Sequence, residues 1–309
     1  MPTTRMNLEN RTVAVTGASG MLGAYICRAL RASGARVRGV VRNLDKARFL
    51  EREGVELARA DLAERDALTA AFRGCDAVVS NAALYNLLNL RWSDNYRANL
   101  EGTENVYEAC AAAGASRVVH ISSWGVNRWH LGPPAIDDAT PLLDGERRKG
   151  GAYRATKALS EIAAFRVSRE RGLATTALRP GGIYGARDKN LMPYFRLWMA
   201  PPVAFVPKLR FPFVYAGDVA ASVVGALRND ASAGQAYLVA GRDETVYDFA
   251  RAWLEAADRR AVLVPIPVGT GIHSDSSRAA REIGFANRSY VDGLRETFAA
   301  DRAERAGAS

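Results

Sequence analysis

The feature that most constrains the fold of this 309-residue chain is a regular alternation of short β-branched runs with longer helical stretches up to Pro180. Apolar runs of about four to eight residues are typical of buried strands, whereas longer charged stretches favour helices. This alternation predicts a parallel sheet that helices cover on both faces. The predicted strands are 11–17, 35–42, 54–60, 76–83, 116–123 and 173–180, and the predicted helices between them are 21–33, 43–53, 64–73, 93–113 and 152–171.

The regular pattern stops after Pro180, where the stretch 191–220 carries five prolines and many aromatic residues. We therefore predict a doubly wound α/β fold whose dinucleotide-binding domain spans residues 1–180. A smaller C-terminal substrate-binding lobe is expected over residues 181–309, with some of its segments returning to the main sheet. The helices predicted in this part are 217–228, 246–258, 276–283 and 290–302.

The composition argues against several classes of protein. No apolar run reaches about 18 residues and the N-terminal stretch lacks a signal-peptide core, so a cytoplasmic protein without a membrane partner is expected. The net charge is +9, but the arginines are scattered among acidic residues, and we therefore expect no nucleic-acid partner. Three cysteines and three histidines form no metal-ligand spacing, so no metal site is predicted.

A glycine-rich stretch follows the first predicted strand directly and opens the first predicted helix. Gly17, Gly20 and Gly23 have the spacing of a dinucleotide-binding loop: the first permits a tight turn, the second a close approach of backbone amides to a pyrophosphate, and the third close helix–strand packing. The positive end of the helix dipole favours an anion there. The stretch also contains Ser19, Met21 and Leu22, which we include in the predicted cofactor site.

The end of the second predicted strand indicates which dinucleotide is bound. An acidic residue commonly holds the ribose 2′-hydroxyl of NAD at this point, but this chain has Arg42 there and Lys46 one helical turn later. Because a guanidinium forks well onto a phosphate, the sequence favours NADP(H), with NAD as the alternative.

Further motifs follow in the order found in a known family. They are TGASGMLG (16–23), Asp61-Leu62, Asn81-Ala82-Ala83, Asn99 to Thr103, Ser122-Ser123, Tyr153-x-x-x-Lys157, LRPGGIYG (178–185) and AGDVA (216–220). Over about residues 11–300 the chain resembles an extended short-chain dehydrogenase/reductase. It is most similar to the branch of 3β-hydroxysteroid dehydrogenases, dihydroflavonol reductases and related NAD(P)-dependent epimerase/dehydratase proteins.

The resemblance implies a role for each matched position. It implies that Ser123, Tyr153 and Lys157 are catalytic, with Tyr153 and Lys157 also touching the cofactor. It implies that the remaining matched residues contact the cofactor: the adenine or adenosine at Asp61, Leu62, Asn81, Ala82 and Ala83, the cofactor site at Ser122, and the nicotinamide at Pro180 and Ile183.

The chemistry of the Tyr–Lys pair can be argued from the residues. Tyr153 and Lys157 share one helix face at i,i+4. A phenol has a pKa near 10, and a cation about 4 Å away stabilises the phenolate by about 4 kcal/mol at an effective dielectric near 20. We therefore expect a phenol pKa near 7, suited to proton exchange with a carbinol or carbonyl oxygen, which the Ser123 hydroxyl also hydrogen-bonds.

The residues after Ser123 indicate the type of substrate. Sugar-nucleotide 4,6-dehydratases carry an Asp–Glu pair where this chain has Trp124 and Gly125, so that dehydration is not expected. Aromatic residues predict an apolar pocket for a hydrophobic or aromatic ketone or secondary alcohol. The residues predicted to contact the substrate are Tyr85, Trp124, Trp129, Tyr194 and Trp198.

Two other functions use the same residues. One is a nucleotide-sugar C4 epimerase that retains NAD tightly, and the other is a non-catalytic NADP-binding sensor. The resemblance also implies a homodimer through helices 93–113 and 152–171. The connection between 262–269 and 276–285 is shorter than in relatives, and a more open substrate cleft is expected.

Overall fold

A computed structural model describes residues 6–85, 91–143 and 151–306. The strands are β1 (Thr12–Thr16), β2 (Arg36–Val41), β3 (Glu56–Arg59), β4 (Ala77–Ser80), β5 (Arg117–Ile121), β6 (Gly132–Ile136), β7 (Ala174–Pro180), β8 (Gly182–Tyr184), β9 (Val203–Pro207), β10 (Phe213–Tyr215), β11 (Ala236–Val239), β12 (Val262–Ile266) and β13 (Ile272–Ser274).

The α-helices are α1 (Met21–Ala32), α2 (Arg48–Arg52), α3 (Arg65–Phe72), α4 (Trp92–Asn95), α5 (Gly102–Ala113), α6 (Gly151–Arg171), α7 (Met192–Trp198), α8 (Ala216–Arg228), α9 (Val246–Ala256), α10 (Ser277–Ile283) and α11 (Tyr290–Ala306). Short 3₁₀ turns are formed by Asp45–Ala47, Trp124–Val126 and Asp230–Ser232.

Seven strands form one parallel sheet in the order β11-β7-β5-β4-β1-β2-β3. The chain starts at β1, moves outward to β3, and then crosses back over β1 to β4. This reversal leaves a crevice beyond the carboxyl ends of β1 and β4, which is where open α/β sheets bind ligands. The doubly wound α/β fold predicted from the strand–helix alternation is therefore confirmed.

The central strands β1, β4 and β5 are buried along their whole length because helices cover both faces of the sheet. Along β1, Val13 and Val15 pack with α1 and α8, whereas Ala14 points to the other face and packs with α3 and α5. The side chains of β1 thus alternate between two separate cores, and both consist mainly of aliphatic residues.

Two predicted helices are interrupted. The predicted helix 93–113 is divided by a π-helical segment, Tyr96–Glu101, between α4 and α5. The predicted helix 43–53 consists of a 3₁₀ turn followed by the short α2.

The part after β7 divides its residues between the main sheet and a smaller aromatic cluster. Strand β11 extends the main sheet beside β7, and α8 covers one face of the sheet beside α1. Helices α7, α9 and α11 and the short strands β8, β9, β10 and β12 surround Phe195, Phe249 and Trp253, whereas β13 pairs with β6 and α10 packs in the core of the main sheet. Among the described helices none is long and apolar enough to cross a membrane.

Candidate active site

The loop between β1 and α1 packs too closely for side chains at its glycines. Gly17 has φ +65°, a conformation that favours glycine. A Cβ at Gly23 would lie 2.3 Å from the Gly17 carbonyl oxygen, and one at Gly20 would lie 3.2 Å from it. The first turn of α1 carries no acidic residue. The loop therefore offers a narrow cradle for a dinucleotide pyrophosphate at a helix N-terminus, and the residues fit that group.

The end of β4 is tied directly to this loop. The backbone N–H groups of Asn81 and Ala82 both donate to Thr16 Oγ1 at 3.0 Å, and Asn81 Nδ2 donates to the Thr16 carbonyl at 3.2 Å. These bonds bring Ala82 so close to Gly17 that a Cβ added to Gly17 would lie 3.0 Å from the Ala82 Cα. Small residues at 82 and 83 keep the mouth of the crevice open.

The predicted cofactor-selecting residues lie at the far end of the crevice. Arg42 is highly exposed, and its Nε lies 3.9 Å from an Asp61 carboxylate oxygen. Asp61 Oδ1 also accepts the Ala63 N–H at 3.0 Å, so the carboxylate caps the turn after β3. An exposed ion pair of this length adds little stability. Arg42 and Lys46 both face the crevice and are available to an anionic ligand.

Ser123 and Tyr153 meet at the carboxyl end of β5. Ser123 adopts an extended conformation, and its hydroxyl accepts the Gly125 N–H at 3.2 Å. The Tyr153 ring lies in the first turn of α6 and packs edge-on against Tyr85, with ring centres 5.1 Å apart. Burial raises the pKa of Tyr153, the neighbouring Tyr85 raises it further, and the hydrogen bond with Ser123 opposes them.

Lys157 is almost completely buried, one helical turn after Tyr153. Its Nζ donates to the Ile121 carbonyl oxygen at 2.8 Å. Burial lowers the pKa of Lys157 to about 8, and the Glu161 carboxylate opposes this shift. The expected lowering of the Tyr153 pKa toward 7 is therefore not what this arrangement shows, because burial is the largest influence on the phenol and raises its pKa.

Behind these residues lies a buried ion pair that the sequence reasoning missed. Glu161 and Arg179 are joined by two Nε contacts at 3.1 Å and by an Nη2 contact at 2.6 Å, and neither residue is more than 5% exposed. Ser122 Oγ donates to the same carboxylate at 2.5 Å. One feature of the sequence could have indicated this pair: Glu161 follows Lys157 by one helical turn and therefore lies on the buried face of α6.

Asn99 is a second position whose contribution only the structure shows. It is buried in the π-helical segment, where its Oδ1 accepts the Leu84 N–H at 2.8 Å and its Nδ2 donates to Thr156 Oγ1 at 3.1 Å. The Thr156 hydroxyl in turn donates to the Ala152 and Tyr153 carbonyls. Asn99 therefore links the segment after β4 to the first turn of α6.

One cleft of about 1510 Å³ joins these parts. The predicted site residues that line it are Gly17, Ser19, Gly20, Met21, Leu22, Gly23, Arg42, Lys46, Asp61, Leu62, Asn81, Ala82, Ala83, Tyr85, Ser122, Ser123, Trp124, Trp129, Tyr153, Lys157, Pro180, Ile183 and Trp198. Ser122 faces the cleft, but its hydroxyl is committed to Glu161.

The substrate end of the cleft is aromatic. The Trp124 ring centre lies 5.7 Å from that of Trp129 and 5.6 Å from that of Phe211, with the second pair edge-on. Phe211 lies in the aromatic stretch 191–220 but was not among the predicted residues, because the sequence does not show which aromatic side chains of that stretch reach the cleft. Arg154 also lines this end and was not predicted.

The prediction that Tyr194 contacts the substrate is not met by the structure. Helix α7 turns Phe195 and Trp198 inward, at a spacing of three residues, and Trp198 reaches the cleft. Tyr194 lies on the opposite face, is 63% exposed and does not line the cleft. Sequence showed that the segment is aromatic but not which of its helical faces points inward.

The sheet order, the glycine loop and the cleft at the strand reversal define an enzyme of the extended short-chain dehydrogenase/reductase type. Residues 13–240 match the model of the NAD dependent epimerase/dehydratase family. The chain belongs to this family.

Individual relatives support the same family. The chain is 31% identical over 251 residues to sterol demethylase protein B of Methylococcus capsulatus, covering 79% of this chain and 74% of that protein. It is 35% identical over 181 residues to a 2-alkyl-3-oxoalkanoate reductase of Stenotrophomonas maltophilia, covering 59% of this chain and 53% of that reductase. The second match thus spans about half of the relative's length.

The fold is shared with solved structures. A UDP-N-acetylglucosamine 4-epimerase from Bacillus cereus superposes with a TM-score of 0.79, covering 95% of this chain and 97% of that chain. Its sequence identity to this chain is 23%, so the likeness concerns the fold alone.

Proposed function

We propose that the protein is an NADP(H)-dependent oxidoreductase that interconverts a secondary alcohol and a ketone on a hydrophobic or aromatic small molecule. The proposal rests on a single cleft that is lined by three different groups of residues. The glycine loop lines one end, Trp124 and Trp129 line the other, and Ser123 and Tyr153 lie between them. A cleft of this kind has room for a dinucleotide and an apolar substrate together.

The dinucleotide would be held by the β1–α1 loop and by the ends of the neighbouring strands. When bound, its nicotinamide ring supplies the hydride acceptor or donor. Arg42 and Lys46 support a preference for NADP(H), because both face the cleft at the end of β2 and a guanidinium matches a 2′-phosphate. Asp45, the nearest acid after that strand, is 2.8 Å from Arg48 and is paired there.

Tyr153 is the proposed proton donor and acceptor. In the direction of ketone reduction its phenol donates a proton to the carbonyl oxygen, and the Ser123 hydroxyl donates a hydrogen bond to the same oxygen. Burial raises the pKa of Tyr153, so the phenol is protonated and ready to donate at neutral pH.

Lys157 is proposed to stabilise the tyrosinate that remains after the proton has left. Its ammonium group is held one turn along the same helix by the Ile121 carbonyl, and it keeps two further N–H donors. A positive charge there favours the phenolate over the phenol. Loss of the charge removes that stabilisation.

The substrate class follows from the walls of the cleft. Trp124, Trp129, Phe211 and Trp198 offer flat apolar surface, which suits a lipophilic ketone better than a nucleotide sugar. Relatives named as reductases of oxoalkanoates and as 3β-hydroxysteroid dehydrogenases support the same class.

The test is a screen of lipophilic ketones, secondary alcohols and nucleotide sugars with NADPH, NADH and their oxidised forms, following the absorbance of the reduced nicotinamide. Tyr153→Phe is the companion variant. We expect turnover of an aromatic ketone with NADPH, and a loss of at least about 100-fold in Tyr153→Phe with cofactor affinity unchanged. Near-normal turnover in that variant contradicts the mechanism, and copurified NAD that does not exchange contradicts the reductase assignment.

A further inference from the structure

Arg154 follows the proposed proton donor in sequence and extends to the substrate end of the cleft. Its Nε donates to the Gly125 carbonyl at 2.7 Å, and its Nη2 donates to the Asn127 carbonyl at 3.2 Å. The guanidinium carbon lies 4.7 Å from the centre of the Trp129 ring. Two carbonyls and an aromatic face thus hold the guanidinium plane in a fixed orientation.

The charge of Arg154 is not balanced by a partner within the described chain. No described carboxylate forms an ion pair with it, and burial lowers its pKa, as expected for a cation that loses water without gaining an anion. Asp188 also lines the cleft, but its oxygens accept the backbone N–H groups of Asn190, Leu191 and Met192.

The donor count leaves room for a ligand. A guanidinium has five N–H donors, and the two carbonyls engage two of them. The remaining donors lie beside an apolar surface formed by Trp124, Trp129 and Phe211. A half-buried planar cation next to aromatic rings matches a ligand with a carboxylate at one end and an aromatic or aliphatic body at the other.

We propose that Arg154 binds a substrate carboxylate, and that the substrates are hydrophobic or aromatic oxo acids and the corresponding hydroxy acids. The oxo-acid part of this inference rests on the proposed reductase function. The carboxylate site itself does not, because binding of the anion needs no reaction. Bidentate hydrogen bonding to Arg154 would fix the carboxylate end of the substrate near Tyr153. The aromatic residues of the cleft would contact its apolar part.

The test uses two ligands of nearly equal shape, trans-cinnamate and cinnamamide, titrated by calorimetry into the full chain with and without NADPH. Charge-assisted hydrogen bonds to a guanidinium predict about 10-fold tighter binding of cinnamate than of cinnamamide to the wild type. Arg154→Gln should lower cinnamate affinity about 10-fold and change cinnamamide affinity by less than about 2-fold. The cinnamate affinity of Arg154→Lys should lie between those of the wild type and Arg154→Gln, since lysine keeps the charge but cannot form two parallel hydrogen bonds to the carboxylate.

Arg97→Gln is the matched control, because Arg97 also lines the cleft but is exposed and lies on another segment. We expect cinnamate affinity within about 2-fold of wild type in that variant. The proposal is overturned by equal affinity of the wild type for the two ligands, by an equal loss for both in Arg154→Gln, or by an equal cinnamate loss in Arg97→Gln.

Arg154 also fastens the turn after Ser123, so folding is monitored separately by thermal unfolding and NADPH affinity. An equal loss for both ligands in Arg154→Gln would identify that purely structural role. The two hypotheses fail separately: a wild type that oxidises NADPH with neither neutral ketones nor hydrophobic oxo acids, but prefers cinnamate through Arg154, refutes the reductase and supports the carboxylate site.

Discussion

Replacement of Arg179 by methionine should strongly destabilise the fold, because it leaves the Glu161 carboxylate buried without its ion-pair partner. Glu161 is 0% exposed, and Arg179 supplies its only ionic partner among the described residues. The substitution removes three contacts of 2.6–3.1 Å to that carboxylate and leaves it only the Ser122 hydroxyl. Methionine retains most of the arginine side-chain volume, so the loss of stability would reflect the missing charge rather than a cavity.

The magnitude follows from the burial of the pair. Removing one partner of a buried ion pair costs about 3–5 kcal/mol, whereas replacing both by neutral groups is often close to neutral. We therefore expect Arg179→Met and Glu161→Gln each to lower the free energy of unfolding by about 3–5 kcal/mol. The double variant should lose less than the sum of the two by at least about 2 kcal/mol.

The assay is urea denaturation of the wild type, the two single variants and the double variant, followed by circular dichroism at pH 7. Ser122→Ala serves as the control, since it removes one hydrogen bond but no charge, and should cost about 1 kcal/mol. A loss below about 1 kcal/mol in Arg179→Met, or strictly additive effects in the double variant, would refute the reasoning.

The remaining predictions concern the proposed cofactor site and its charges. Arg42→Ala should lower NADP(H) affinity about 10-fold or more with little change for NAD(H), measured by nucleotide titration; an unchanged affinity ratio contradicts the 2′-phosphate role. The reduction rate should fall as pH rises through about 8, where Lys157, whose pKa burial lowers to that value, loses its proton; a profile flat to pH 10 contradicts the need for the ammonium. Because the pKa of Lys157 is lower in the native state than in the unfolded state, the native protein loses this proton first as the pH rises. The free energy of unfolding of the wild type should therefore increase relative to that of Lys157→Met between about pH 8 and pH 10. Gly23→Ala, ordinarily stabilising by about 1 kcal/mol inside a helix, should instead lower the melting temperature and nucleotide affinity, because its Cβ would lie 2.3 Å from the Gly17 carbonyl oxygen.

Much of the candidate site could be predicted because its signals are local. Backbone geometry favours glycine at Gly17, whose φ is +65°, and at Gly23, where a Cβ would lie 2.3 Å from the Gly17 carbonyl oxygen, and the spacing of these glycines can be read from a few consecutive residues. The i,i+4 relation of Tyr153 and Lys157 likewise depends only on the helix that carries them. These positions line the cleft as the spacing predicted.

The protonation state of the site was not predictable in the same way. Spacing alone suggested that Lys157 lowers the pKa of Tyr153, but the structure adds the burial of both side chains and the Ile121 carbonyl that holds the ammonium. Desolvation opposes the charged form of each group, and its size depends on residues packed from other elements. The expected direction for the phenol was therefore wrong.

The sequence by itself determined the central strands, their order along the chain and the parallel class of the sheet, because strands buried on both faces are mostly apolar and alternate with longer helical stretches. Only the tertiary structure decided that β11 joins that sheet, that Glu161 pairs with Arg179, that Phe211 and Arg154 share the cleft, and that Tyr194 faces outward. A local pattern records which residues avoid water. Which distant side chains meet depends on how the elements cross and rotate against one another, and no single segment contains that information.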